Sequence, residues 1–286
     1  MDVTIILPTF DRRHVLERTL GCYQALARRH ALLVVDDGSH DGTAEWLRGL
    51  GLTVARHPRR LGLPAARNTG LTLAKTEWVF FGEDDVMVPT DHIDRLLAEA
   101  ARLPRCGAVA GQLFSGSSWS LPEQRPPASA GPLLDQRTLR GDFAAPLPHA
   151  LPLPSLHACA LVNRQAALAV GGYDEAFAGS AFREESDFYG RLWRSGLACW
   201  LTPATWAVHV RHRLGGGCRG EPGLAKIANR WSYARNDARF SRRHAALWLR
   251  WGTTDGHGRL ALRGAWRVAT RACAALLGPD EREPIP

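Results

Sequence analysis

Three consecutive acids, Glu83, Asp84 and Asp85, follow Gly82 and the apolar run Trp78-Val79-Phe80-Phe81. Like charges at the mouth of a buried strand repel one another, so they stay ionised only where a cation or a group of donors sits among them. A hard divalent ion meets that need. Mg²⁺ or Mn²⁺ is held by one or two carboxylates and completes its shell with water and phosphate oxygens. A solvated acidic turn before a helix near Asp91 would look the same on these residues alone, so other clusters must decide. Asp36 and Asp37, in Asp36-Asp37-Gly38-Ser39, can accept N–H donors from a base, as a carboxylate does from the imide of uracil. Arg67, followed by Asn68, can make bidentate bonds to a diphosphate, although a lone helical arginine is more often a surface residue.

The elements that would position these groups follow from periodicity. Strands are expected over 3–7, 31–35, 52–56 and 78–81. Between them, Val15, Leu16, Leu20, Tyr23 and Leu26 keep helical spacing, and helices are expected over 43–48 and 65–74. Alternating strands and helices predict an α/β fold with a mainly parallel sheet covered on both faces. Ligands of such sheets bind beyond the carboxyl ends of the strands. Pro8-Thr9-Phe10-Asp11-Arg12, the Asp36-Asp37 turn and the acidic triplet all fall there, so three strand ends are expected to assemble one site.

Composition bounds the class. The 286 residues carry 45% hydrophobic and 22% charged side chains, a balance typical of a chain with a packed core. No apolar run approaches the roughly 20 residues of a membrane span, and a cytoplasmic protein is expected. Six cysteines without a C-x-x-C pair argue against a zinc site or a disulfide framework. The net charge of +8 lies in the tail: residues 216–286 hold 13 Lys+Arg against 6 Asp+Glu, whereas 1–215 hold 23 against 22. A nucleic-acid-binding module would also be basic, but no recognition motif is present and the ligand edge of the sheet is acidic. A nucleotidyltransferase would pair an α/β sheet with metal-binding acids too, yet Leu7-Pro8-Thr9-Phe10-Asp11-Arg12-Arg13-His14 lacks the glycine-rich phosphate loop expected after the first strand.

The opening Ile-Leu-Pro-Thr-Phe, the segment 34–43 (VVDDGSHDGT), the segment 63–70 (LPAARNTG) and Glu83-Asp84-Asp85 together resemble the inverting family 2 glycosyltransferases of the GT-A fold. The resemblance covers the first third of the chain. It implies a Rossmann-like domain over 1–215, with 1–115 binding a nucleotide sugar and 116–215 facing the acceptor, followed by a helical tail over 216–286. Pro8, Thr9, Phe10, Arg12, Asp36, Asp37, Arg67 and Asp84 are the implied donor-binding set. Within it Asp37 would read the base, and Asp85 with Asp84 would carry the metal function of a D-x-D-type motif. Glu83 stands where that motif has its first acid.

Further along, 121–154 holds eight of the 18 prolines and is expected to be a strandless surface excursion or a cleft wall. A strand over 157–163 is expected to precede a short helix and the turn Gly171-Gly172-Tyr173-Asp174-Glu175, and His157 reads as a satisfied structural histidine. Glu184, Glu185 and Asp187 open an amphipathic helix, where the helix dipole alone would favour acids. The segment also resembles the family's E-D-x-D-L-x-x-R motif, with Glu185 in the place of the base and Glu184 and Asp187 in reserve. Transfer with inversion needs such a base to take the acceptor's proton. After strands over 198–201 and 205–210, His209 resembles the residue that completes the metal shell in many GT-A enzymes, with His212 the alternative. An imidazole ligand favours Mn²⁺ over Mg²⁺. Helices are expected over 224–251 and 259–277. Packing of the 259–277 helix on the catalytic domain is the expected use of its apolar side, and the arginines with Trp231, Trp248, Trp251 and Trp266 leave open peripheral contact with an anionic inner-membrane face.

Overall fold

The computed structural model describes residues 3–135, 140–177, 179–212 and 224–250. Strands β1 (Val3–Thr9), β2 (Ala31–Asp36), β3 (Thr53–Arg56) and β4 (Trp78–Phe81) alternate with helices α1 (Arg13–Leu26), α2 (Thr43–Gly49) and α3 (Leu63–Leu73). Next come β5 (Val86–Met87), α4 (His92–Arg102), β6 (Cys106–Gly116), the short pair β7 (Leu134–Asp135) and β8 (Arg140–Gly141), β9 (Leu151–Leu153) and β10 (Leu161–Asn163). The chain continues through α5 (Arg164–Ala169), α6 (Glu184–Arg194), β11 (Ala198–Val210) and α7 (Leu224–Arg250).

Nine strands form one sheet in the order β3-β2-β1-β4-β10-β6-β11-β5, with β9 added on β11. The first four are parallel, and β1 pairs Ile6 with Phe81 on one side and Thr9 with Asp36 on the other. That register brings the polar ends of β1, β2 and β4 to one edge. Every residue of β1 is buried, because helices cover both sides of it. Leu16, Leu20 and Tyr23 of α1 pack with Phe80 and with Ile93 and Leu96 of α4 on one face. Ile6, Phe81, Tyr173 and Phe188 form the core of the other. Burying each such side chain contributes about 1.5–3 kcal/mol. A methyl group at Gly70 of α3 would collide with Ile6, so glycine there lets the helix lie close on the sheet.

The second half corrects several expectations. Residues 121–154 are not strandless, since β9 pairs antiparallel with β11, placing Pro152 opposite Trp200. Only Leu161–Asn163 of the 157–163 segment is a strand, and it runs antiparallel between β4 and β6. The two strands expected over 198–201 and 205–210 are one, β11, with an irregularity between Thr202 and Trp206. Because β6, β10 and β11 complete the sheet begun by β1–β4, the two halves of residues 1–215 share one sheet.

Of the tail, α7 packs on α6. Arg183, in a left-handed conformation at φ 73°, caps α6 and ion-pairs with Asp237 at 2.9 Å, both buried. The 259–277 helix, Trp251 and Trp266 lie outside the described residues, while Trp231 is 48% exposed. Among the described residues, no helix is long and apolar enough to cross a membrane. Cys22, Cys106, Cys159 and Cys199 are free thiols.

Candidate active site

The acidic triplet hangs from α1 and β1 by direct bonds. The Tyr23 hydroxyl donates to the Glu83 carbonyl at 2.8 Å, the Thr19 hydroxyl to the Asp84 carbonyl at 2.6 Å, and the Thr9 hydroxyl to Asp84 Oδ2 at 3.0 Å. Pairing of β5 with β11 sets Val86 opposite His209, which carries the imidazole alongside Asp85. His209 Nε2 and His212 Nε2 each lie 3.5 Å from Asp85 Oδ2. The Arg12 guanidinium bridges the acids, with Nη1 2.8 Å from Asp84 Oδ1 and Nη2 2.7 Å from Asp85 Oδ2. Nη2 is also 2.8 Å from His212 Nε2.

Their environments push these carboxylates apart. Burial raises Glu83 to about 7, with repulsion from Asp85 and Glu185 adding to it against the pull of Arg67. Burial likewise raises Asp84 to about 6, despite Arg12. Asp85 lies well below the usual range, because bonds from His209 and His212 and the charge of Arg12 outweigh its burial. Among the described residues no group of three His, Cys, Asp or Glu side chains is arranged to hold a metal ion, Arg12 lying between Asp84 and Asp85. The donor set of Asp84, Asp85, His209 and His212 nevertheless suits a divalent ion: two carboxylates and two imidazoles converge where one guanidinium is now the cation.

On the neighbouring strand end the expectation divides. Asp36 is fully buried and its Oδ1 accepts the Ser39 N–H at 3.0 Å, so it shapes the turn and does not line the cleft. Asp37 does line it. Its Oδ1 receives the Leu61 N–H at 2.8 Å and faces His57 Nδ1 at 2.7 Å, while Oδ2 receives the Gly62 N–H at 2.8 Å. His57 in turn reaches the Thr69 hydroxyl at 2.9 Å, which fixes its ring. Sequence patterning gave His57 no role, since a histidine just past a strand carries no signal of its partner. Phe10 packs under Arg60, 4.4 Å from guanidinium to ring, at the same end of the cleft.

Arg67 is the largest correction. It is 0% exposed and absent from the cleft wall; instead of clamping a diphosphate it lies beneath the acids. It pairs with Glu184 and lies 3.4 Å from Glu83 Oε1 and 3.6 Å from Glu185 Oε1. Tyr173, stacked on Phe188 at 4.3 Å, covers it from below. Glu184 is 1% exposed and tied to Arg67, which leaves it no open face for an acceptor's proton. Asp187 is removed from the site altogether. Its buried carboxylate meets Arg191 at 2.8 Å, His244 at 2.9 Å and Arg243 at 3.1 Å, and these bonds hold it at about 2 against its burial. Glu185 alone of the three keeps a partly exposed carboxylate, 27% accessible and on the cleft wall.

The cleft measures about 1260 Å³ and runs from Pro8, Thr9, Phe10 and Asp37, past the acidic triplet and His209, to Glu185. Pro126, Pro127 and Pro132 form part of its far wall, so the proline-rich segment does shape a cleft. His157 borders it with Nε2 on the Gly111 carbonyl at 2.8 Å, and burial lowers it to about 4, as a structural histidine.

A mainly parallel sheet with acids at three strand ends and a carboxylate across the cleft defines a GT-A nucleotide-sugar fold. The glycosyl transferase family 2 pattern matches residues 4–154, just over half of the chain, and the chain belongs to that family. It is 28% identical over 295 residues to the N-acetylglucosaminyl-diphospho-decaprenol L-rhamnosyltransferase of Mycobacterium tuberculosis, covering 91% of this chain and 90% of the relative. The pre-mycofactocin glycosyltransferase of the same species is 29% identical over 213 residues, 73% of this chain; the match spans 42% of that relative's length. The fold is shared with the mannosyltransferase PcManGT of Pyrobaculum calidifontis, solved with GDP-Man and Mn²⁺. That likeness has a TM-score of 0.59 at 20% identity and covers 99% of this chain and 76% of that one.

Proposed function

We propose that the chain is a metal-assisted inverting glycosyltransferase that moves a sugar from a nucleoside-diphosphate sugar to an acceptor hydroxyl. The observation that carries the reading is the placement of Glu185, exposed to the same cleft as Asp37 and the acidic triplet while its two neighbouring acids are tied down. Glu185 takes the proton of the acceptor hydroxyl. The oxygen then bonds to the anomeric carbon from the side opposite the diphosphate, and the carbon–oxygen bond to the diphosphate breaks with its electron pair. Configuration inverts in one step, without a covalent intermediate. Arg67, 3.6 Å from Glu185, holds that carboxylate in place from beneath.

Asp85, Asp84 and His209, with His212 as the alternative, would hold Mn²⁺ or Mg²⁺. Such an ion supplies positive charge to the leaving diphosphate. Arg12 is the side chain that yields the acids to it and turns to the phosphates. For the base, Asp37 Oδ2 receives one backbone N–H, which leaves it room for a single further donor. The lone imide N–H of uracil or thymine fits that vacancy better than the paired donors of guanine, so a UDP or TDP sugar is favoured over a GDP sugar, with UDP the first choice on family resemblance. The relative named for a diphospho-decaprenol acceptor supports work near a membrane face, with the tail as contact.

The test is Glu185→Gln assayed with a panel of UDP sugars, alongside calorimetry with UDP, TDP, GDP and CDP in Mn²⁺ or EDTA. Transfer is expected to fall by about 10²- to 10⁴-fold while UDP binding persists. Unchanged turnover would remove Glu185 from the mechanism, and metal-independent diphosphate binding would remove the ion.

A further inference from the structure

The cleft lined by Glu185 is also walled by Phe182, Tyr233, Arg140 and Asp142. Phe182, three residues before Glu185, lies with its ring 5.0 Å from that of Tyr233 of α7, tilted by 37°. The guanidinium groups of Arg140 and Arg183 pack over the Phe182 ring at 5.5 and 4.8 Å. Arg183 is anchored in turn to the buried Asp237 of α7. Phe182 is therefore braced on several sides, and it fixes Tyr233, which is half-buried and lines the cleft. Phe143 and Asp142 line the same cleft, with the Ser129 hydroxyl donating to Asp142 Oδ2 at 2.5 Å.

An aromatic face beside carboxylate, hydroxyl and guanidinium groups has the mixed character of a pyranose, which has an apolar C–H face and a rim of hydroxyls. The ring face buries the C–H surface and the polar border serves the rim. A hydrocarbon chain would need a continuous apolar trough, and laying it against guanidinium groups would cost their hydration. Building on the glycosyltransferase reading above, we propose that Tyr233, braced by Phe182, is the platform for the acceptor's sugar ring. The acceptor is thus a carbohydrate, or carries one at its reacting end, and α7 is a wall of the acceptor site. One hydroxyl of the stacked ring then faces Glu185, which lines the same cleft three residues on from Phe182.

The experiment is saturation-transfer NMR on the full chain with UDP present and methyl pyranosides of glucose, galactose, rhamnose and N-acetylglucosamine as probes. At least one glycoside is expected to bind, to weaken about fivefold in Tyr233→Ser, and to recover in Tyr233→Phe, the scale of one lost aromatic contact. UDP affinity should stay within about twofold in both variants, which reports that each is folded. If UDP binds and no glycoside does, or if Tyr233→Ser binds the glycoside as well as the parent, this assignment is overturned while the donor reading stands. If UDP itself fails to bind the parent, the donor reading falls and takes the acceptor site with it.

Discussion

Replacing Arg67 with methionine isolates the cation on which the acidic side of the cleft rests. Its guanidinium is 0% exposed and pairs with Glu184, itself 1% exposed, with Glu83 and Glu185 close by. Removing one partner of such a pair costs about 3–5 kcal/mol, because the other is left buried without compensation. With a urea slope of about 3 kcal/mol per molar, the unfolding midpoint should fall by about 1–1.7 M. Adding Glu184→Met converts the pair into two apolar side chains of similar volume, a change that is often neutral. Most of the loss should therefore return in Arg67→Met/Glu184→Met, and the cycle should show a coupling of about 3 kcal/mol or more, at the top of the usual range. Calorimetry on the double variant adds a functional readout. Since Arg67 does not reach the cleft, UDP affinity should stay within about threefold of the parent. A midpoint shift of only a few tenths molar, additive single effects, or a hundredfold loss of UDP affinity would each refute this account, the last by returning Arg67 to the diphosphate.

Arg12→Met should tighten Mn²⁺ binding in the absence of nucleotide by about tenfold, the effect of removing about 1.4 kcal/mol of competition between Asp84 and Asp85. Electron paramagnetic resonance of free Mn²⁺ measures it, and equal or weaker binding would contradict the competition. A methyl group at Gly82 would sit 2.7 Å from Tyr23 Cε1, and Tyr23 is buried and bonded to Glu83. Gly82→Ala should cost about 1–3 kcal/mol by overpacking and lower metal affinity; a neutral melting temperature would show that α1 can yield. Burial holds His92 at about 3 and His157 at about 4, below the ordinary histidine value of about 6.5. Both stay neutral in the fold while the unfolded chain takes up protons below pH 6.5, so stability is full above that pH and declines as pH falls towards 4. Each histidine contributes about 1.4 kcal/mol per pH unit in that window. Urea midpoints at pH 6.5 and 5 test this, and His92→Gln should flatten the slope.

How much of the site was legible depended on whether a residue's role is local. The ends of β1, β2 and β4 could be read because each apolar run stops abruptly at polar residues, and parallel pairing then forces those ends together. Arg67 could not, because an arginine in a helix has the same sequence signature on the surface as in the core. Its partner Glu184 lies 117 residues away. Asp187 failed for the same reason: α6 favours acids in its first turn, and Arg191 together with His244 and Arg243 of α7 holds Asp187 apart from Glu185. Asp36 and Asp37 differ by one residue and so by one face of the chain, but which face meets the cleft is set by the loop that brings in the Leu61 and Gly62 amides. The reversed β10 was hidden because three residues carry too little pattern to show direction.

That reversed strand has a bearing on how the chain comes to be folded as it is made. Until residues 161–163 have been synthesised, β4 has no neighbour on its far side, and the run Trp78–Phe81 presents an open hydrophobic edge. Its partner must close a loop of about eighty residues, and such distant pairings are slow. A nascent or truncated chain ending at residue 154, where the family pattern stops, would leave that edge exposed and prone to join other copies. The short strand therefore seals that edge, joining β4 to β6 through Leu161–Asn163.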